Sequence, residues 1–175
     1  MSPTVAVVGA SLAGLSAARA LREQSYDGRI VVIGDEVHAP YDRPPLSKEF
    51  LAGTASLDDI DLGAPDDEDL GLEWRLGTTA VGLDHLSRSV QLSDGNEVRA
   101  DGVVLATGAR ARRLPGTEGL GGVHVLRSLD DAIALRDDLA AAGRLVVIGA
   151  GFIGAVVAAT ARQLGREVTV VETQP

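Results

Sequence analysis

The sequence predicts an α/β fold with two β-α-β units that contain parallel sheets, separated by a small antiparallel β excursion. Three observations lead to it. Short, continuously apolar runs such as "TVAVVG" alternate with amphipathic stretches, as do buried strands and the helices that cover them. A glycine-rich turn follows such a run near each end of the chain. Between the two units, partial alternation and an Asp-Gly turn are typical of antiparallel strands.

The first unit starts at the apolar run 4–9, which predicts a buried strand. "LAGLSAARALREQ" has apolar residues at helical spacing, and "RIVVIGDE" predicts a second buried strand. Strand, helix and strand with a right-handed crossover form a parallel β-α-β unit. In the following "HAPYDRPPLSKEFLAG", two prolines interrupt regular structure. Ser47 is then a candidate cap for a short helix that ends near Gly53.

An acidic stretch, residues 56–73, is interpreted as a solvated loop. Antiparallel strands are predicted in "LEWRLG", "TAVGLD" and "SVQLS", and "DGVVLATG" returns to a buried strand. A helix follows in "RSLDDAIALRDDLAAAG", where Ser128 can cap the start, Asp130 and Asp131 suit its positive end, and Gly143 can close it. We predict two domains, residues 1–113 and residues 114–175, the second truncated because its later strands are missing.

Composition excludes several classes of protein. The net charge of −9 argues against nucleic-acid binding, which needs a basic surface. The chain contains no cysteine, so disulfides, thiolate metal sites and thiol chemistry are excluded, and no metal site is predicted. No apolar run reaches membrane-spanning length, and the start of the chain lacks the basic region of a signal peptide. We therefore expect a cytoplasmic protein with no nucleic-acid or membrane partner.

The second glycine turn has the complete G-x-G-x-x-G pattern, with Gly149, Gly151 and Gly154, and Glu172 ends the strand that follows. Glycines there allow a tight turn, close approach of a pyrophosphate and helix packing on the strand. The helix amino end offers free N–H groups to the phosphates. An acid at the end of the second strand accepts from a ribose 2′-hydroxyl and repels a 2′-phosphate, which favours NADH.

The first turn reads "GASLAG", with Gly9 and Gly14 in place and Ser11 at the middle position. Asp35 and Glu36 end the next strand, and either acid could hold a ribose. The alternative is a turn that binds no ligand, but the second copy in the same chain favours binding. The pair predicts two Rossmann-like dinucleotide-binding units.

These two turns, with "PYDRPPLSK" and "VVLATG" between them, resemble the two-dinucleotide flavoprotein reductases. More narrowly, the chain resembles the N-terminal portion of the FAD-dependent ferredoxin reductases of the putidaredoxin and rubredoxin reductase group. The resemblance implies that FAD binds at the first turn and NADH at the second. Hydride would pass from NADH to FAD, and single electrons would pass to an iron–sulfur ferredoxin or rubredoxin that supplies a monooxygenase or dioxygenase. A truncated, non-catalytic remnant or nucleotide-binding fragment remains the alternative.

Position by position, the resemblance also implies cofactor contacts. Lys48 would lie beside the isoalloxazine as the catalytic residue, since a positive charge there stabilises reduced flavin. Lys48 is the single lysine of the chain, which otherwise uses fifteen arginines. The other implied FAD contacts are Gly9, Ser11, Ala13 and Gly14 at the pyrophosphate, Asp35 at the ribose, and Arg43, Val81, Ala106, Thr107, Gly108 and Arg127 along the rest of the cofactor.

The chain departs from this family in two respects. Val156 stands where the family usually has an acid that reaches toward the lysine, so we expect altered hydride transfer or flavin redox balance. The chain also has 175 residues, and it lacks the later segments of the family. We therefore expect an uncovered apolar face on the second unit, which would favour aggregation or association with a partner.

Overall fold

The structure is a computed structural model, and it describes residues 2–173. The chain divides into two compact units. One consists of Met1–Tyr41 with Asp61–Ala109, and the other of Asp42–Ile60 with Arg110–Pro175. The segment 42–60 therefore packs with the second unit. The predicted domain boundary after residue 113 separates the domains by the cofactor that each would bind, and it stays a prediction.

The first unit contains a four-stranded parallel sheet. Its strands are β1 (Thr4–Val8), β2 (Arg29–Ile33), β3 (Leu72–Arg75) and β7 (Gly102–Leu105), in the order β3-β2-β1-β7. The helix α1 (Leu12–Glu23) connects β1 to β2. The predicted β-α-β unit with buried strands is confirmed.

Three further strands of this unit form an antiparallel sheet: β4 (Ala80–Asp84), β5 (Ser89–Leu92) and β6 (Glu97–Arg99). The predicted antiparallel excursion is confirmed for these strands. It is wrong for "LEWRLG", because β3 joins the parallel sheet beside β2. Leu72 and Trp74 of β3 pack against the same apolar cluster as α1. A half-buried edge strand alternates in the same way in either kind of sheet, so the pattern could not separate them.

Both faces of the parallel sheet are covered. Ala6, Val8 and Ile33 pack against apolar residues of the antiparallel sheet. Val7 and Val32 point to the opposite face, where they pack with residues of α1. This burial on both faces explains why β1 and β2 are continuously apolar in the sequence.

The acidic stretch is only partly a solvated loop. Residues Pro65–Leu70 form a 3-10 turn. The Arg19 guanidinium of α1 donates to both carboxylate oxygens of Asp67, at 2.9 Å and 2.6 Å, and also to the Leu62 carbonyl oxygen at 2.8 Å. The stretch is therefore anchored to the outer face of α1 by a bidentate ion pair. The net acidity of the stretch did not indicate which of its carboxylates would pair with an arginine.

The second unit is a β-α-β unit preceded by helical segments, and its two strands pair in parallel, as predicted. Its elements are a 3-10 turn at Pro44–Ser47, α2 (Glu49–Ala52), a 3-10 turn at Asp58–Ile60, α3 (Leu129–Ala141), β8 (Arg144–Ile148), α4 (Phe152–Gln163) and β9 (Glu167–Val171).

The segment 42–60 is held in this unit by apolar packing. Leu51 of α2 lies in one buried cluster with Leu135 of α3 and Val157 of α4. The Arg136 guanidinium lies 4.7 Å from the centre of the Phe50 ring, within cation–π range. Two of α2's four residues thus anchor it to the larger helices.

The predicted helix ends are right in part. Gly53 closes α2 in a left-handed conformation, with φ 77°. Ser47, however, is buried inside the 3-10 turn, and the N-cap position belongs to Lys48. Ser128 caps α3 as predicted. Gly143 does not close α3, because Ala142 already leaves the helix in an extended conformation that leads directly into β8.

One face of the second unit's sheet is uncovered, as expected. Val146 and Ile148 of β8 are 60% and 63% exposed, and Val171, the neighbour of Ile148 on β9, is 47% exposed. We call these three residues the open face. Val146 and Ile148, together with the segment 111–126, line a groove of about 1230 Å³. Across residues 2–173, no helix is long and apolar enough to cross a membrane.

Candidate functional site

The first glycine turn, between β1 and α1, leaves no room for side chains at two positions. Gly9 has φ 122°, and a Cβ atom built on it would lie 2.0 Å from the Ala106 carbonyl oxygen. A Cβ on Gly14 would lie 1.8 Å from the Gly9 carbonyl oxygen. Both distances are far below van der Waals contact. Only glycine at these two positions therefore allows β1, α1 and the end of β7 to approach each other this closely.

The amino end of α1 is not capped by a side chain. Ser11 occupies the N-cap position with extended backbone, φ −122° and ψ −165°, and its hydroxyl makes no capping hydrogen bond. The first turn contains no acid, and Ala13 in that turn is exposed. The N–H groups of the first turn, with the positive end of the helix dipole, are therefore available to an anion.

The amino end of α3 is organised differently. The Ser128 hydroxyl accepts from the Asp131 N–H at 3.2 Å. The Asp131 carboxylate accepts from the N–H groups of Ser128 at 2.9 Å and of Arg127 at 3.0 Å. Asp130 adds a second carboxylate to this turn. Because α3 satisfies its own amino end and is acidic there, it offers nothing to a phosphate.

The second glycine turn resembles the first in conformation. Gly149 has φ 102°, Gly151 is the N-cap of α4, and α4 has neither a side-chain cap nor an acid in its first turn. A Cβ on Gly154 would lie 2.2 Å from the Gly149 carbonyl oxygen. A Cβ on Gly151 would meet no atom within 4 Å. Gly154 is thus required for packing, whereas Gly151 leaves open space at the amino end of α4.

The acid predicted to bind the NADH ribose lies at this turn. Glu172 follows β9, and its carboxylate accepts from the Ala150 N–H at 2.7 Å. The structure therefore brings Glu172 and the second glycine turn together, although 22 residues separate Glu172 from Ala150. At the corresponding place in the first unit, Asp35 is exposed, and the Glu36 carboxylate accepts a hydrogen bond from the Tyr41 hydroxyl.

The remaining predicted residues of the first unit lie in two places. Ala106 follows β7, and its N–H donates to the Val8 carbonyl oxygen at 2.7 Å, which places it beside the first glycine turn. Thr107 and Gly108 continue from it and are exposed. Val81 is 62% exposed on β4, in the antiparallel sheet. Their contacts with a cofactor stay predictions.

The predicted residues of the "RPPLSK" motif belong to the second unit. The Arg43 guanidinium donates to the Arg127 carbonyl oxygen at 2.8 Å, so these two predicted residues are brought together. Lys48 lies between the 3-10 turn and α2 with an exposed side chain. Within residues 2–173, the Lys48 ammonium makes no hydrogen bond and no ion pair. No cluster of three or more His, Asp or Glu side chains that could hold a metal occurs in the same range.

Sequence reasoning did not identify Thr160. Its hydroxyl, on α4, donates to the Ser47 carbonyl oxygen at 2.9 Å, next to Lys48. A threonine inside an apolar helix is the signal that could have found it, because a buried hydroxyl requires a hydrogen-bond partner.

Two parallel β-α-β units, each with a glycine turn at an uncapped helix end, define the Rossmann-like dinucleotide-binding class. The family described as pyridine nucleotide-disulphide oxidoreductase matches residues 3–175. The chain belongs to this family, and it is an enzyme family that uses FAD and NADH. The predicted family and cofactors are confirmed.

Among curated relatives, the chain is similar to the ferredoxin–NAD(+) reductase component of the biphenyl dioxygenase system of Paraburkholderia xenovorans strain LB400, with 44% identity over 173 residues. The match covers 98% of this chain and 42% of the relative. Putidaredoxin reductase of Pseudomonas putida is 40% identical over 174 residues, with 97% of this chain and 41% of the relative covered. The chain thus spans less than half the length of the curated relatives it matches.

Solved structures give the same result. The reductase in the covalent putidaredoxin reductase–putidaredoxin complex matches with a TM-score of 0.90 and 39% identity, over 96% of this chain and 42% of that chain. The ferredoxin reductase for the CYP199A2 system of Rhodopseudomonas palustris matches with a TM-score of 0.91 and 41% identity, over 98% of this chain and 43% of that chain. The predicted α/β fold class is confirmed.

Proposed function

We propose that the chain functions in an FAD-dependent NADH:ferredoxin reductase that supplies electrons to a monooxygenase or dioxygenase. One observation carries the proposal: α1 and α4, which follow glycine turns, have uncapped amino ends without acids, whereas α3 is capped and acidic at its amino end. Two bare helix ends behind two glycine turns suit two diphosphates.

The first turn is proposed to hold the FAD pyrophosphate. The N–H groups of Ser11, Ala13 and Gly14 belong to the uncapped end of α1, and the Ser11 hydroxyl is not used for capping. Asp35, exposed after β2, is the proposed ribose ligand. Glu36, the next residue, is the alternative ribose ligand, and its carboxylate also accepts from the Tyr41 hydroxyl.

Lys48 is proposed as the residue that acts on the reacting end of the cofactor. Bound FAD would accept two electrons as a hydride and release them singly. The exposed Lys48 ammonium would add a positive charge beside the isoalloxazine, which stabilises the negative charge that develops there. The resemblance also assigns FAD contacts to Val81, Ala106, Thr107, Gly108, Arg43 and Arg127.

The second turn is proposed to hold NADH. Gly151 leaves space for the pyrophosphate at the amino end of α4, and Glu172 is held at the same turn. Its carboxylate would accept from the ribose 2′-hydroxyl and would repel the 2′-phosphate of NADPH.

The proposed electron acceptor is an iron–sulfur ferredoxin or rubredoxin. The support is that the relatives are described as ferredoxin–NAD(+) reductase components and as putidaredoxin reductase. The proposal also keeps the cytoplasmic location expected from the sequence.

The second candidate function is a nucleotide-binding fragment without catalysis. The observation that favours it is the open face of Val146, Ile148 and Val171, three apolar side chains that are exposed within residues 2–173.

The visible spectrum of the chain separates the two candidates. The purified chain is incubated with FAD, desalted and scanned, and NADH oxidation is then followed with ferricyanide as the acceptor. The reductase proposal expects retained flavin absorbance and NADH-dependent turnover, both lost in an Ala13→Glu control, which puts a negative charge at an exposed position of the first turn of α1. A folded but colourless chain would instead support the fragment.

A further inference from the structure

We propose that Thr160 is a positioning residue for Lys48. Its hydroxyl on α4 donates to the carbonyl oxygen of Ser47, the residue directly before Lys48, at 2.9 Å. What Lys48 does for a cofactor rests on the proposed function. The positioning of Lys48 by Thr160 is a separate claim, and it does not depend on a bound cofactor.

The Thr160 hydroxyl is used in an unusual way for a helical threonine. A threonine inside a helix commonly bonds the carbonyl oxygen one turn earlier in its own helix. Thr160 instead donates to a residue 113 positions away in the sequence. Thr160 is 5% exposed and Ser47 is 4% exposed, so water does not replace this hydrogen bond while the unit stays folded. A buried hydrogen bond of this kind fixes the distance between α4 and the 3-10 turn.

Lys48 depends on its backbone for its position. Its side chain makes no hydrogen bond or ion pair with any of residues 2–173. Its backbone angles, φ −123° and ψ −105°, lie outside the helical and extended regions, at the junction between the 3-10 turn and α2. Since the direction of the Cβ atom follows from these angles, whatever holds the backbone of Ser47 and Lys48 also sets the direction in which the Lys48 side chain leaves the backbone.

The other ties of this segment are farther along the chain from Lys48. Arg43 bonds the Arg127 carbonyl oxygen at the start of the 3-10 turn, and Leu51 packs in the apolar cluster beyond it. On α4, Val156 lies one turn before Thr160 on the same face and has no polar group. Thr160 therefore ties the residue directly before Lys48 to α4, the helix whose amino end follows Gly151, whereas the Lys48 N–H bonds the Pro45 carbonyl oxygen inside the 3-10 turn.

The single lysine makes the proposal measurable without a cofactor. Reductive methylation with ¹³C-formaldehyde labels Lys48 and the N-terminal amine, and the N-terminal signal serves as an internal reference. The chain is compared with Thr160→Val, which has the same shape without the hydroxyl, and with Thr160→Ser, which keeps it. Thr169→Val, at an exposed position of β9 in the same unit, is the matched control for the chemical change.

We expect Thr160→Val to shift or broaden the Lys48 resonance and to accelerate amide exchange in residues 48–52 roughly five- to tenfold, as for one lost hydrogen bond. Thr160→Ser and Thr169→Val should leave the Lys48 resonance and the amide exchange rates unchanged. An unchanged Lys48 resonance and unchanged exchange in Thr160→Val would overturn the proposal. If Thr160→Val does not fold, Thr160→Ala gives the same comparison, because alanine lacks the hydroxyl and favours the helix.

A second arm keeps this outcome apart from the proposed function. NADH-dependent flavin reduction is measured for the same variants after loading with FAD. If the chain does not retain FAD, the proposed function fails for this chain, while the Lys48 resonance still decides whether Thr160 positions it. If FAD is retained, the rate of reduction should fall in Thr160→Val and recover in Thr160→Ser.

Discussion

The Thr160 hydroxyl of α4 donates to the Ser47 carbonyl oxygen at 2.9 Å, and both residues are buried. This hydrogen bond joins the helix of the second glycine turn to the segment that contains Lys48. It agrees with the apolar packing of Leu51 on α3 and α4, and with the assignment of residues 42–60 to the second unit. The lysine implied in flavin chemistry therefore belongs structurally to the unit proposed to bind NADH.

Two glycines of the second turn should respond differently to alanine. Gly154→Ala places a methyl group 2.2 Å from the Gly149 carbonyl oxygen, so we expect it to lower the free energy of unfolding by about 1–3 kcal/mol. Gly151→Ala meets no atom within 4 Å at a φ of −66°. The free energy of unfolding of Gly151→Ala should stay within about 0.5 kcal/mol of the wild-type value. Urea denaturation followed by circular dichroism measures both.

Gly151→Ala also tests nucleotide binding without the loss of packing expected for Gly154→Ala. Gly151→Ala should weaken NADH binding roughly tenfold, because the methyl group occupies the space through which the pyrophosphate would approach the backbone. Fluorescence titration with NADH measures the dissociation constant. Wild-type affinity in Gly151→Ala would contradict the assignment of this turn to NADH.

Glu172→Gln should change the choice between the two pyridine nucleotides. Loss of the charge removes a strong acceptor for the ribose hydroxyl and the repulsion of a 2′-phosphate, so NADH binding should weaken roughly tenfold. The ratio of NADH affinity to NADPH affinity should therefore decrease. Titrations with both nucleotides measure the ratio, and Glu167→Gln, exposed at the start of β9, is the control. An unchanged ratio would remove Glu172 from the site.

Val156→Glu should alter hydride transfer if the ion-pair hypothesis is correct. Val156 lies one helical turn before Thr160, the residue whose hydrogen bond holds the backbone next to Lys48. A carboxylate there would compensate the Lys48 charge and change the rate of flavin reduction by NADH several-fold. Stopped-flow bleaching of the flavin measures the rate. Ala155→Glu adds the same charge at an exposed position. Equal rates in wild type and Val156→Glu would rule the ion pair out.

Acid should weaken the first unit through Asp67. Its hydrogen bonds from Arg19 hold the pKa of Asp67 below its ordinary value, with smaller help from the Ala64 N–H. Because the folded-state pKa is the lower one, this stabilisation is complete above the unfolded value of about 3.9 and is lost as the pH falls through the folded value.

Asp67→Asn tests this relationship. The variant should be about 1 kcal/mol less stable than wild type at pH 7, an amount suited to a partly exposed bidentate pair. This difference in the free energy of unfolding between wild type and Asp67→Asn should narrow below about pH 4. Fluorescence of Trp74, the single tryptophan, reports unfolding of the first unit. Asp69→Asn, at an exposed position of the same turn, should show no such pH-dependent difference.

The sequence by itself determined the parts of this protein that depend on neighbouring residues. Continuous apolar runs predicted β1 and β2, since strands buried on both faces have few polar positions. The apolar runs on either side of α4 also predicted β8 and β9, although one face of their sheet is exposed. The glycine patterns predicted both turns, because the positive φ angles of Gly9 and Gly149 and the close contacts of Gly14 and Gly154 belong to short pieces of chain. The Ser128 cap was also predicted, since it acts within one helical turn.

The tertiary structure alone decided which elements are neighbours. It placed β3 in the parallel sheet, put residues 42–60 into the second unit, buried Ser47 and gave its carbonyl oxygen to Thr160. It also bound Asp67 to Arg19. Each outcome depends on packing between residues distant in sequence. A local pattern records the burial of a residue but not the identity of the partner that buries it.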